Sequence, residues 1–127
     1  MSYDLAKYRL EDSKEKIESA EILFDNGKYK DSASRSYYAI FSAARALLAT
    51  KGFDSSKHVG IISLFNQHFV KTGMVKKEMS KLLAGAKLVR ERSDYADFVI
   101  ISKEEALKQI QSAKEFVAEI EKAIKKM

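Results

Sequence analysis

Apolar and small residues recur along this chain in steps of three and four. Tyr3, Ala6, Leu10, Ser13, Ile17, Ala20 and Phe24 form one continuous stripe, with Lys14, Glu15, Lys16, Glu18 and Glu21 between them. That is the spacing of one buried and one charged helix face. A first helix is expected from about Ser2 to Asp25, ended by Asn26 and Gly27, because glycine accepts the left-handed backbone of a helix C-cap. The stretch from Ser32 to Leu48 differs. It is apolar or small on almost every side, with Arg35 and Arg45 as its only charges. A helix of that kind is buried and central. Ala33, Ser34, Ala39, Ser42, Ala43 and Ala46 let neighbouring backbones approach, while Tyr37, Tyr38 and Phe41 fill the space between. This second helix is predicted from Lys28 or Tyr29 to Thr50, stopped by Lys51 and Gly52.

A polar link from Phe53 to Lys57 offers Ser55 or Ser56 as the cap of a third helix. That helix is expected from His58 to about Lys71, with Val59, Ile62, Phe65 and Phe69 inward, ended by Thr72 and Gly73. Val75, Met79, Leu82, Ala86, Val89 and Ser93 mark a fourth, running to Ser93 or Tyr95, and Gly85 between two alanines suggests a close crossing. Phe98, Val99, Ile100 and Ile101 break the rhythm and suit a short extended segment. Ser102 followed by Glu105 reads as a capping box. The last helix carries Ala106, Ile110, Ala113, Val117, Ile120, Ile124 and Met127, and Lys122, Lys125 and Lys126 suit its C-terminal dipole. Short links favour antiparallel neighbours. The fold class is therefore all-α, an up-and-down bundle of four to five helices, in one helical domain spanning residues 1–127.

Composition sharpens this picture in a few places. The chain has 127 residues, five glycines and no proline, which suits long uninterrupted helices. It has no cysteine, which excludes disulfides and thiolate chemistry. A net charge of +5 is compatible with nucleic acid or acidic ligands. No signal peptide or membrane span is visible, so a cytoplasmic protein off the membrane is expected. Neither histidine has a glutamate three residues before it, so the paired metal site of helix bundles is not expected. No phosphate-binding glycine loop or serine nucleophile elbow is present. Helix 3 is too apolar for a DNA recognition helix. No cofactor is implied.

If the helices alternate, the end of helix 2 meets the starts of helices 3 and 5 and the end of helix 4. Arg45, Lys51, Ser55, Ser56, Lys57, His58, Arg90, Arg92, Asp94, Tyr95 and Ser102 would gather there. Helix N-termini with serines and cations suit an anion. The ligand-binding candidates are Arg45, Ser56, Lys57, His58, Arg90, Asp94 and Tyr95. Arg90 borders the Val89 stripe, and an arginine at the edge of a core must find an anion. Asp94 stands at i+4 from it and can pair with it. Glu91 and Arg92 read as a solvated face. His58, at a helix N-terminus, is expected to stay neutral, while His68 reads as structural. Arg35 is expected to bridge to the first or last helix.

Three segments carry a resemblance: S-A-S-R-S-Y-Y-A-I-F-S-A-A-R-A-L-L, then S-S-K-H-V-G-I-I-S-L-F, then R-E-R-S-D-Y. With these the chain resembles the HEPN domain family (higher eukaryotes and prokaryotes nucleotide-binding), over about Tyr8 to Ile120. The resemblance implies a helical bundle that commonly forms homodimers. It also implies a minimal nucleotidyltransferase partner, often in a toxin–antitoxin pair. Many members are metal-independent RNases with an Arg-x(4–6)-His motif. Arg90 matches the arginine, but the positions for the histidine hold Tyr95, Ala96 and Asp97. Tyr95 at the histidine's place is a candidate nucleotidyl acceptor. The missing histidine favours a nucleotide- or RNA-binding module over an enzyme. The alternatives are an RNase using Arg90 with His58 or Tyr95, and a non-catalytic dimerisation module.

Overall fold

The computed structural model describes residues 2–95 and 97–127, apart from the side chains of Ser2 and Tyr95. Its α-helices are α1 (Ser2–Asp25), α2 (Tyr29–Ala49), α3 (His58–Phe65), α4 (Glu78–Tyr95) and α5 (Lys103–Lys125), and a π-helical stretch, Asn66–Val70, continues α3. No strand is formed among the described residues, and the protein is an all-α bundle. The ends of α1 and α2 fall where their glycines stand: Gly27 has φ 73° and Gly52 φ 71°.

The centre is α2. Ala39, Ile40, Ala43, Ala44, Ala46, Leu47 and Leu48 are wholly buried. Each large aliphatic among them contributes about 1.5–3 kcal/mol on burial. Its small residues let α1 approach. The Ser32 hydroxyl donates to the Ala20 carbonyl at 2.7 Å, and Ser42 donates to Asp12 at 2.9 Å. These pairs make α1 and α2 antiparallel. Lys14 meets Glu121 at 2.6 Å and Glu21 meets Lys114 at 2.9 Å, so α5 is antiparallel to α1 as well. The Lys76 amide donates to Glu119 at 3.2 Å and Arg92 pairs with Glu105, so α4 runs against α5. Up and down therefore holds for α1, α2, α4 and α5. The tightest packing is among α1, α2 and α5, and residues 50–102 make an excursion from that core and return.

Within the excursion α3 departs from simple alternation. His58 lies beside Tyr37 and Phe41, half-way along α2, while Phe53 stacks on His68 at 4.2 Å and Lys51 lies over the Phe69 ring at 5.1 Å. Residues 50–57 thus climb back along α2, about 18 Å at the helical rise, before α3 descends in the same direction as α2. Gly60 permits the climb. A Cβ there would lie 2.1 Å from the Ser55 Oγ and 2.8 Å from its Cβ. The expected gathering at one bundle end is corrected accordingly. The start of α5, with Val99, Ile101 and Ala106, packs on Phe24, Tyr29 and Ala33 at the opposite end from the C-terminus of α2.

Smaller expectations are corrected too. Lys57 occupies the N-cap of α3 with no side-chain cap, and the Ser55 hydroxyl instead accepts from the Lys57 amide at 3.2 Å. Ile61 is buried in place of Val59, which is 63% exposed. Buried positions 61, 65 and 69 keep a step of four, which an α-helix drifts off and a wider π turn sustains. Val75 is buried, but ahead of α4 rather than within it, and Leu83 rather than Leu82 is fully buried. Nothing lies within 4 Å of a Cβ built on Gly85, so no close crossing occurs there. Tyr3 and Met127 are exposed ends of their stripes. Of the expected extended segment, Phe98 instead lies in a turn with Asp97, with φ 58° and fully exposed, and residues 99–102 form no regular structure. The capping box is present: the Ser102 Oγ accepts from the Glu105 amide at 3.0 Å, and Glu105 accepts from the Ser102 amide at 3.4 Å.

Candidate functional site

The climb of residues 50–57 delivers His58 to the middle of α2, opposite the last two turns of α4. Between them lies a cavity of about 310 Å³ lined by Tyr37, His58, Lys87, Arg90, Glu91 and Asp94. Lys87, Arg90, Glu91 and Asp94 follow at i, i+3, i+4 and i+7, one face of a helix. The Tyr37 hydroxyl and the His58 Nδ1 are 2.8 Å apart, and the imidazole lies 4.2 Å from the Phe41 ring centre. Tyr37 is 2% exposed, and burial pushes its phenol up to about 12. It is therefore a protonated phenol at neutral pH. Burial lowers the His58 pKa, and Arg90, Arg45 and Lys87 lower it further. The neutral ring has two arrangements. Either Tyr37 donates to Nδ1 and His58 presents Nε2–H as a donor, or Nδ1–H donates to Tyr37 and Nε2 is a free base.

Arg90 is held flat. Its guanidinium carbon lies 4.5 Å from the Tyr38 ring centre and 5.6 Å from that of Tyr37, within cation–π range. Its Nε donates to Asp94, and its Nη1 is buried without a partner. Lys87 pairs with Glu91. Two cations face two carboxylates, so the lining is formally balanced. An incoming anion must be drawn by directed donors rather than net charge, and the exposed part of the Arg90 guanidinium and a His58 N–H are such donors.

Of the residues singled out by sequence, the structure brings His58, Arg90 and Asp94 together around one cavity. Arg45 stands apart. It lies 3.4 Å from Asp54, which also lies 3.6 Å from Arg9, and Arg9 donates to the Arg45 carbonyl at 3.2 Å. This cluster ties the climbing segment to α1 and α2 and reaches the cavity only through its charge on His58. Ser56 and Lys57 are exposed and do not line the cavity. Tyr95 closes α4, but its side chain lies outside the described residues. Arg92 pairs with Glu105, fastening α4 to α5. Arg35 is exposed beside Asp31, Ser34 and Tyr38, with no ion pair to α1 or α5 among the described residues. Sequence reasoning passed over Tyr37, Lys87 and Glu91 as cleft residues. The four-residue face at 87–94 was legible as spacing; that Tyr37 turns its hydroxyl to His58 was not.

Among the described residues no three His, Asp or Glu side chains are grouped to hold a metal ion, and no helix is long and apolar enough to cross a membrane. The fold and cleft define a helical bundle protein with an arginine and a histidine presented from α4 and α3 against an aromatic wall on α2. The chain belongs to the HEPN domain family, whose family model matches residues 6–123. It is 36% identical over 118 residues to a Methanocaldococcus jannaschii protein named "Putative toxin MJ0605", covering 93% of this chain and 87% of that one. A UPF0332 protein of Thermotoga maritima is 37% identical over 112 residues, 88% of this chain and 85% of that protein. A UPF0332 protein of Archaeoglobus fulgidus is 33% identical over 123 residues, 97% and 98% of the two chains.

Proposed function

We propose that this protein binds a nucleotide or a segment of RNA in the α2–α3–α4 cleft, without catalysis of its own, as one half of a toxin–antitoxin pair with a minimal nucleotidyltransferase. One observation carries the binding reading: a guanidinium stacked on Tyr38, with a buried unpartnered Nη1, shares a cavity with a neutral histidine. A phosphate in the cavity pairs with the guanidinium there, and charge-assisted bonds of this kind are the strong ones. Kinship with proteins named as toxins supports the toxin–antitoxin part. The domain acts as a single cytoplasmic unit in this reading. Exposed Phe98 and Ile100, the latter 86% exposed, support pairing with a second copy. Sedimentation of Ile100→Asp against wild type tests that pairing.

Amide shifts on adding uridine 3′-monophosphate or a short single-stranded RNA test the binding. Shifts are expected at residues 56–58, 87–91 and 94; none at millimolar ligand would sink it. Co-purification with the product of a neighbouring nucleotidyltransferase gene, if one stands beside it, tests the partnership.

A second reading, an RNase, is favoured by the Tyr37–His58 hydrogen bond, which fixes an imidazole in the same cavity as Arg90. His58 Nε2 would take the 2′-hydroxyl proton and Arg90 would stabilise charge on the phosphate. The leaving 5′-oxygen also needs a proton, and among the described residues the cavity is lined by a single histidine, with no second one to supply it. Binding is therefore the preferred reading. Cleavage of RNA in EDTA by wild type but not by Arg90→Ala would reverse that preference.

A further inference from the structure

The valley between α3 and α4 continues past the Arg90 cavity. Beyond it lies a second hollow of about 370 Å³, walled by Val59 and Ile62 from α3 and by Ala84 and Leu88 from α4. The two hollows adjoin at Lys87 and Glu91, which line both, and together make a trench along α4. Its chemistry changes along its length. One end holds His58, Arg90 and Asp94. The other is apolar, yet Val59 is 63% and Leu88 68% exposed. From Arg90 back to Ala84 the helix rises about 9 Å. That matches the span of one nucleotide from its phosphate to the far edge of its base.

Resting on the nucleotide reading above, we infer that the trench is a single nucleotide site in two parts, in which the phosphate meets Arg90 and His58 and the base lies in the α3–α4 groove. A nucleobase has two apolar faces and a polar edge, and the aliphatic walls cover the faces. Lys87 and Glu91, paired along α4 at the junction, offer a donor and an acceptor where the sugar passes between the two parts. A groove of a few hundred cubic ångströms, apolar with few polar groups and continuous with an anion site, is the usual form of a small-ligand pocket. A second copy of the chain is the other occupant such a groove can take. Continuity with the Arg90 cavity favours the base.

The test titrates the full chain with inorganic phosphate, ribose 5-phosphate and adenosine 5′-monophosphate by calorimetry. The nucleotide is expected to bind about tenfold tighter than the sugar phosphate, the gain from covering the base faces. In Leu88→Ser, whose side chain is exposed and not needed for the core, that ratio should fall toward one. In Arg90→Met all three ligands should weaken together. Equal affinity for ribose 5-phosphate and the nucleotide in wild type would overturn the base subsite and leave the phosphate site standing. No binding of any of the three would overturn both. A wild-type dimer in sedimentation that Leu88→Ser dissociates would assign the groove to a second copy instead.

Discussion

Replacing Arg90 by methionine separates binding from stability. The favourable contacts are the stacking on Tyr38 and Tyr37 and the ion pair with Asp94. The stacking contributes about 1–2 kcal/mol in a half-desolvated position, and the partly exposed pair about 0.2–1 kcal/mol. Against them stands Nη1, buried without a partner, which costs about 1–3 kcal/mol. The sum is close to zero, and methionine keeps much of the apolar cover of the two tyrosine rings. Arg90→Met should therefore unfold within about 1 kcal/mol of wild type in urea. A phosphate bound through Arg90 loses about 1.5–3 kcal/mol with it, a drop of roughly ten- to a hundredfold in affinity. Urea unfolding and calorimetry with uridine 3′-monophosphate measure the two quantities on the same sample. A loss of about 3 kcal/mol or more in stability would show that Arg90 is structural. Unchanged affinity in a folded variant would show that the phosphate sits elsewhere.

Three further outcomes are expected. His58 titrates below its ordinary 6.5 in the folded state, through burial and then Arg90, Arg45 and Lys87. The unfolded chain thus binds more protons in the window just below pH 6.5, so stability drops as pH falls through it and gains nothing from this group above it. His58→Gln should flatten that part of a stability–pH curve, and an unaltered slope would refute the assignment. Gly60→Ala should push Ser55 away and cost about 1–3 kcal/mol; urea unfolding reads the cost, and displaced His58 resonances show the loop moving with it. Ser102→Ala removes the hydroxyl that accepts from the Glu105 amide and should cost about 1 kcal/mol in thermal or urea unfolding. No change would mean that water caps α5 equally well.

Helix positions, the glycine stops and the Ser102–Glu105 box were legible because each depends on residues within one or two turns of each other. The phase of α3 was not. Val59 and Ile61 are both apolar, and only the π turn downstream decides which faces the core. The path of residues 50–57 was not legible either, since the glycine that allows it is explained by a serine on another segment. Yet His58 and Arg90 do face one cavity, by a route other than simple alternation. The expected meeting place was the end of α2; the observed one is its middle, where Tyr37 and Tyr38 stand. That is why Tyr37, read from sequence as core filling, turns out to be cleft wall and histidine partner at once. Arg45 moved the other way, from candidate ligand to the anchor of Asp54.

The arrangement of a tight α1–α2–α5 core with residues 50–102 looping out and back has a consequence for motion. The chain's first two helices and its last one make the densest contacts with each other, while α3 and α4 add Phe65, Phe69, Met79 and Leu83 to the same core from one side. The cleft lies on the seam between that core and the excursion. Amides of α4 can therefore exchange with solvent by a local opening that leaves α2 protected. The wall bearing Arg90 can open and close while the rest of the protein stays folded.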